Sequence, residues 1–308
     1  MADKSKIEWT NSTWNPVTGC DKVSQGCKNC YAEREWARLS ARRIISSPDP
    51  LSGAHTIARN VYEGRKFTDV QCHPERLDQP LRWRKPRRIF VNSMSDLFHE
   101  DVPDDFIDLV FRIMALCQWH TFQILTKRPE RMRAFFASQP PQRTITLPGE
   151  HFIYHFPLPN VWLGISAEDQ ATADERIPLL LQTPAAVRWI SAEPLLGPID
   201  LRKLNLGNRI TLDGLTGFHC GYAGPGTYEQ TLNDLPTLPG PTNQINWVVA
   251  GGESGPGARP SEIEWFYSLR DQCAAAGVPF FMKQITERGR KIPFESFPLD
   301  LQVREYPQ

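Results

Sequence analysis

"RRIFVNSMSDLFHEDVPDDFIDLVFRIMALC", residues 87–117, holds the pattern on which the fold turns. A short apolar run, Ile89 to Val91, ends in the polar pair Asn92 and Ser93. Beyond a polar stretch, residues 104–117 set their apolar side chains at helical spacing on one face. A strand feeding a helix is thus the expected unit, and it recurs. Residues 120–127 precede 129–138, with Pro129 suited to a helix's first turn, and residues 160–166 precede 170–182. Residues 185–194 and 245–254 read as two more strands. Residues 261–277, with Ser261 and Glu264 spaced as a capping box, lead to a last strand at 278–284. Strands that are apolar throughout belong in a parallel sheet covered by helices. The expected fold class is therefore α/β, a partial or full (βα) barrel forming one domain over 1–308.

Three stretches interrupt the alternation, at about 44–80, 139–159 and 200–244, rich in polar residues, Pro or Gly. The strand pattern resumes after each, so they read as insertions carrying binding loops, lids or plain loops. Lys and Arg together number 35, as do Asp and Glu, so no global basic field advertises nucleic acid. The opening "MADKSKIEWT" lacks the apolar core of a signal peptide, and no apolar run is long enough for a membrane helix. The cytoplasm is the expected location, where clustered cysteines mean metal or redox chemistry rather than disulfides.

Polar residues collect where the strands end. Ser93, Ser95 and Asp96 follow the first run; Thr126 and Lys127 close the second; Ser166, Glu168 and Asp169 the third. Ser191 and Glu193, then Gly251, Gly252 and Glu253, then Lys283 and Gln284 close the rest. In an α/β barrel those ends share one mouth, where ligands bind.

"TGCDKVSQGCKNCYAE", residues 18–33, adds Cys20, Cys27 and Cys30, separated by six residues and then two. Structural zinc takes four ligands, and Cys72 or His73 in "VQCHPER" would supply the fourth. An iron–sulfur cluster is the competing reading, with three thiolates on three irons and the fourth iron open to an outside ligand. Gly19 and Gly26, each just before a cysteine, suit a loop wrapped around an inorganic core. The following "NCYAEREWARLSARR" reads as a helix whose first amides would face that core's negative charge. On the residues alone both metals stay open.

A three-cysteine loop after the first strand of an α/β barrel resembles the radical S-adenosylmethionine (SAM) superfamily. That resemblance implies a 4Fe–4S cluster on Cys20, Cys27 and Cys30, SAM on the open iron, an external reductant and a 5′-deoxyadenosyl radical. The superfamily's usual spacing is three and two residues, and its aromatic before the third cysteine is here Asn29. "WNPVTGC", "GCKNCYAE", "RRIFVNSMSDLFHEDVP", "FQILTKRPERM", "VWLGISAEDQATADERIPLL", "RWISAEPLLGPIDL" and "WVVAGGESGPGARP" together resemble a family of phage and bacterial three-Cys-motif proteins. The arrangement "NSMSD", "LTK", "GIS" resembles, more distantly, spore photoproduct lyase, a radical SAM enzyme that repairs DNA.

Under that reading Lys127 meets the SAM carboxylate, and Ser93, Asp96 and Ser166 meet its amino or ribose groups. The competing readings are a Lys127 paired with Glu130 or Asp96 and ordinary loop capping by the others. Glu168 and Glu193, each in a Ser-Ala-Glu context, would hold the SAM ammonium, a substrate base or a metal, with Lys127 completing the expected catalytic set. Alternatively the two pair with Arg176 or Arg188. Gly251, Gly252 and Glu253 are expected to meet the cofactor, with Glu253 and Arg259 reading a polar ligand or the glycines only letting backbone pass close by, although this Gly-rich turn lacks the spacing of a nucleotide fingerprint. "LRWRKPRRIF" sets five basic residues around Trp83, a composition suited to a nucleic acid or nucleotide substrate, or else to a solvated strip. Two further expectations differ in kind. One is a zinc-stabilised barrel that binds nucleic acid or a partner protein without turnover. The other is a degenerate barrel keeping its cluster for a structural role in a phage or defence complex.

Overall fold

Seven parallel strands in sequential order form the main sheet. They are β1 (Ser12–Trp14), β2 (Arg88–Val91), β3 (Thr121–Thr126), β4 (Val161–Ser166), β5 (Val187–Ala192), β6 (Trp247–Gly251) and β7 (Phe280–Gln284). This computed structural model describes residues 5–41, 44–48, 55–58, 62–147, 150–207, 210–221, 243–287 and 289–308. The helices are α1 (Tyr31–Ser40), α2 (Asp104–Leu116), α3 (Pro129–Ser138), α4 (Gln170–Leu181) and α5 (Ile263–Ala276). No described helix is long and apolar enough to cross a membrane.

Successive residues of a strand face opposite sides, and here the two sides carry different chemistry. On β5 and β6, Ile190, Ala192, Val248 and Ala250 join the main core under the helices. Trp189, Trp247 and Val249 turn inward, joining Trp9, Phe90 and Phe281 in a separate cluster. Trp9 precedes β1, yet its ring centroid lies 5.1 Å from that of Trp189 on β5 and 6.4 Å from that of Trp247 on β6. In a flat sheet β1 and β5 would stand about 19 Å apart, four spacings of ~4.8 Å. The sheet is therefore curled into a half-barrel with aromatic rings filling its lower end. Gly164 on β4 makes room for one of them, since a Cβ there would come 2.4 Å from the Trp189 ring.

Among the described residues no strand pairing closes the gap between β7 and β1. The C-terminal segment runs along the free edge of β7, where Met282 N–H donates to Val303 O at 2.8 Å and Glu305 N–H to Phe280 O at 3.0 Å. Tyr306 then stacks on Trp247 and lies 3.9 Å beneath the Arg88 guanidinium of β2. Edge protection and closure thus come from the same few residues.

The predicted elements lie where the periodicity put them, with one local correction. Ser261 does not cap α5: its hydroxyl donates to Leu195 O at 2.6 Å, and Glu262 occupies the N-cap without a side-chain bond. The capping box is on α4, where Asp169 and Thr172 bond reciprocally. The stretches that interrupt the alternation carry their own antiparallel pairing, Ile44–Pro48 with His55–Ala58 and Gln142–Leu147 with Glu150–His155. Leu204–Asn205, Ile210–Leu212 and His219–Gly221 form a third small sheet, while residues 222–242 lie outside the described residues.

Candidate functional site

Above the aromatic floor the half-barrel opens into a cavity of about 1150 Å³ at the C-terminal ends of the strands. Its walls follow the inward positions of each strand. Thr13, Asn92, Leu125 and Lys127 come from β1 to β3 and their ends, and Ser166, Ser191, Glu193 and Lys283 from the opposite side. Cys20, Cys27 and Cys30 all line this one cavity, half-buried and unpaired by disulfides.

The loop that carries them crosses the mouth and is fastened at both ends of its span. Gly19 starts it with φ +93°, where a Cβ would come 2.5 Å from Asp69 O. Ser24 Oγ donates to Glu168 Oε1 at 3.1 Å, and Gln25 Nε2 to Asp169 Oδ2 at 2.5 Å. Gly26 lies flat on Glu168, since a Cβ there would stand 2.2 Å from the same carboxylate oxygen. Farther along, Asn29 Nδ2 donates to Glu253 Oε2 at 2.8 Å and to Gly257 O at 3.0 Å. Cys30 is then the N-cap of α1, and Arg34 one turn on donates to Ser254 O at 2.8 Å. The loop leaves β1 and is held at the ends of β4 and β6, so it bridges the cavity.

This geometry gives the two expected carboxylates different work. Glu168 is fully buried and is not in the cavity wall. It accepts from Lys127 Nζ, from Arg176 at 3.2 Å and from Ser24. Burial alone would raise its pKa, but the Lys127 and Arg176 charges outweigh it and hold the carboxyl below the usual carboxylate range. Lys127 pairs with Glu168 rather than Glu130 or Asp96, and it remains in the wall. Glu193 does face the cavity, paired with Lys283 at 2.7 Å rather than with Arg188. Gly251 leaves the space that its carboxylate occupies.

Glu253 lines the cavity too, gripped by Arg259 through its side chain and its N–H at 2.9 Å. Burial would raise its pKa, yet the Arg259 hydrogen bonds bring it down to about 2. Asp96 organises the β2 and β3 ends, accepting from Thr126 Oγ1 at 2.8 Å, Lys127 N–H at 3.1 Å and Arg128 at 3.3 Å. Ser93 Oγ donates to Asn15 Oδ1 at 3.2 Å. Among the described residues the Ser166 hydroxyl makes no side-chain hydrogen bond, and it lines the cavity along with Gly252.

Sequence reasoning missed several contributors. Arg128 reaches Cys20 Sγ at 3.7 Å and also pairs with Asp21. Burial, with Asp96 adding to it, pushes the Cys20 thiol up to about 12 against the pull of that guanidinium. Asn29 and Ser24 anchor the loop, and Tyr31 Oη donates to Ser93 O. The usable signal lies in the alternation: Trp162, Gly164 and Ser166 on β4, and Trp189 and Ser191 on β5 with Glu193 just beyond it, share the concave side of the sheet.

Cys72 and His73 stand outside the cavity wall. Both ring nitrogens of His73 are engaged, Nε2 with Thr18 Oγ1 at 2.8 Å and Nδ1 with Glu75 at 3.1 Å. Among the described residues no three His, Cys, Asp or Glu side chains gather on one point as a single ion requires. The basic strip of residues 81–90 begins at the opposite end of the half-barrel, where Arg87 covers Trp83 and Arg82 pairs with Asp78.

The family described as "Protein of unknown function (DUF5131)" matches residues 4–295 of the chain. No curated protein and no solved structure matches it.

Proposed function

The chain belongs to that DUF5131 family, and for it we propose an iron–sulfur enzyme of the radical SAM type that acts on a nucleic acid or nucleotide. The observation that carries the reading is the meeting of Cys20, Cys27 and Cys30 on one large cavity at the C-terminal mouth of a curled parallel sheet. Three cysteines on one cavity match a cluster that takes one thiolate per iron and leaves its fourth iron to an outside ligand, while Cys72 and His73, the residues that would complete a four-ligand zinc site, stand outside that wall. Cys20, Cys27 and Cys30 would hold the cluster, which would supply the electron for reductive cleavage of SAM.

The chain's own residues prepare that site. Glu168 and Glu253 fasten the cysteine loop from opposite sides, and Arg128 beside Cys20 offsets negative charge there. The first amides of α1, after Cys30, do the same. Lys127 and the Glu193–Lys283 pair present charged groups to a zwitterion such as the methionyl end of SAM. Ligand pockets usually span about 300–1000 Å³, so a cavity of about 1150 Å³ leaves room for a substrate beside the cofactor.

Anaerobic purification tests the reading. The protein should be brown, hold iron and sulfide in near-equal amounts, and release 5′-deoxyadenosine when given SAM and an external reductant. Cluster-loaded protein that never releases it would remove the radical chemistry. Colourless protein with one zinc would favour a binding module instead.

A further inference from the structure

Among the described residues two hydrogen-bond donors on the cavity's lining residues have no partner, although their side chains are almost wholly buried. Asn92 and Trp9 are each 2% exposed, and both line the cavity. Among the described residues Asn92 Nδ2 and Trp9 Nε1 find no acceptor. The orientation of the Asn92 amide is not arbitrary, because its Oδ1 accepts the Val17 backbone N–H at 3.2 Å. Its NH₂ is therefore the group left over. Asn92 is also the one described non-glycine residue with positive φ, 61°, a conformation that Asn tolerates better than most residues. Buried donors are normally satisfied, and an exception calls for an explanation such as a ligand.

Their surroundings indicate which ligand. Trp9 and Phe90 meet edge to face at 4.8 Å and form the floor, and Leu125 is an apolar wall. Thr13, Ser166 and Ser191 contribute hydroxyls to the same cavity. Rings offer a surface for a flat group, and the two N–H donors ask for acceptors on its edge. A peptide would offer carbonyls too, but the ring floor favours a planar group. We infer that the base of the cavity is a subsite for a planar, carbonyl-bearing ring of nucleobase size, held by Asn92 and Trp9. The inference deepens the nucleotide reading and rests on it for the identity of the ring, while the subsite needs no radical chemistry to operate.

Equilibrium dialysis of the full chain, with and without its cluster, measures the subsite directly. Guanosine and uridine, whose ring carbonyl oxygens accept hydrogen bonds, should bind at least about tenfold more tightly than the phenyl C-nucleoside, whose flat ring carries no acceptor. Asn92→Asp keeps the shape, the acceptor for Val17 and the tolerance of positive φ, but replaces the donor with a carboxylate. It should weaken guanosine and uridine about tenfold or more. Trp9→Phe keeps an aromatic floor and removes the N–H, and it should weaken them severalfold. Circular dichroism checks that each variant is folded, and either one alone decides the matter. Equal binding of all three nucleosides, unchanged affinity in the folded variants, or preference for an N-acetyl peptide amide would overturn the subsite. A chain that binds guanosine or uridine as described but never cleaves SAM would refute the radical reading and leave the subsite standing.

Discussion

Replacing Glu168 by Gln tests how the cysteine loop is held. The carboxylate is fully buried between Lys127 and Arg176, and the substitution is nearly isosteric, so packing changes little while the counter-charge vanishes. Breaking a buried ion pair from one side costs about 3–5 kcal/mol. Loss of the charge-assisted bond from Ser24 adds about 1 kcal/mol. Lys127 is 19% exposed and water compensates part of its loss, which places the expected total at about 3–4 kcal/mol. At about 2–3 °C per kcal/mol for a chain of this size, Tm should fall by roughly 6–12 °C. Thermal unfolding followed by circular dichroism measures this, and hydrogen exchange should show residues 20–30 losing protection. The double variant Glu168→Gln/Arg176→Met should regain part of the loss, because it removes a stranded cation. The sign with pH is also fixed. A depressed carboxyl pKa gives stability that is present above the unfolded value of 4.5 and lost as pH falls below it. A fall in Tm under about 2 °C, or a double variant no better than the single, would refute the triad as the anchor.

Gly26→Ala should push the loop off Glu168, since its Cβ would stand 2.2 Å from a carboxylate oxygen. About 1–3 kcal/mol of stability should go with it, read by thermal unfolding of purified protein. If the proposed cluster is present, Cys72→Ser should leave iron content unchanged, whereas Cys20→Ala, Cys27→Ala and Cys30→Ala should each lower it; metal analysis distinguishes them. Burial, with Arg76 beside it, holds the His73 ring below its usual pKa. Stability should therefore fall as pH drops below 6.5, by up to about 1.4 kcal/mol per unit. Urea midpoints of wild type and His73→Asn between pH 8 and 5 check this, with the slope expected to flatten in the variant.

How much of the site was legible can be argued from its parts. The strand and helix positions follow from spacing within ten or so residues, because burial on one face of a helix or both faces of a strand imprints a local period. That is why Thr121–Thr126 and Pro129–Ser138 lie where their sequences put them. The ends of the strands were equally readable as polar, because a chain leaving an apolar layer must meet water or a ligand. Their division of labour was not. Glu168 and Glu193 share the context Ser-Ala-Glu, yet one is sealed under the loop and the other faces the cavity.

By itself the sequence determined the alternating α/β plan, the cluster of three thiols and the face on which polar groups gather, since each depends on neighbours along the chain. Tertiary structure alone decided the curl, the aromatic floor and the pairing of charges. Ser24 and Glu168 are 144 residues apart, and Asn29 and Glu253 are 224 apart. No local period records such partners: once the sheet bends, the loop after β1 and the residues just past β4 and β6 come within hydrogen-bond reach, and the lowest-energy arrangement of buried charge is chosen among side chains that the sequence keeps far apart.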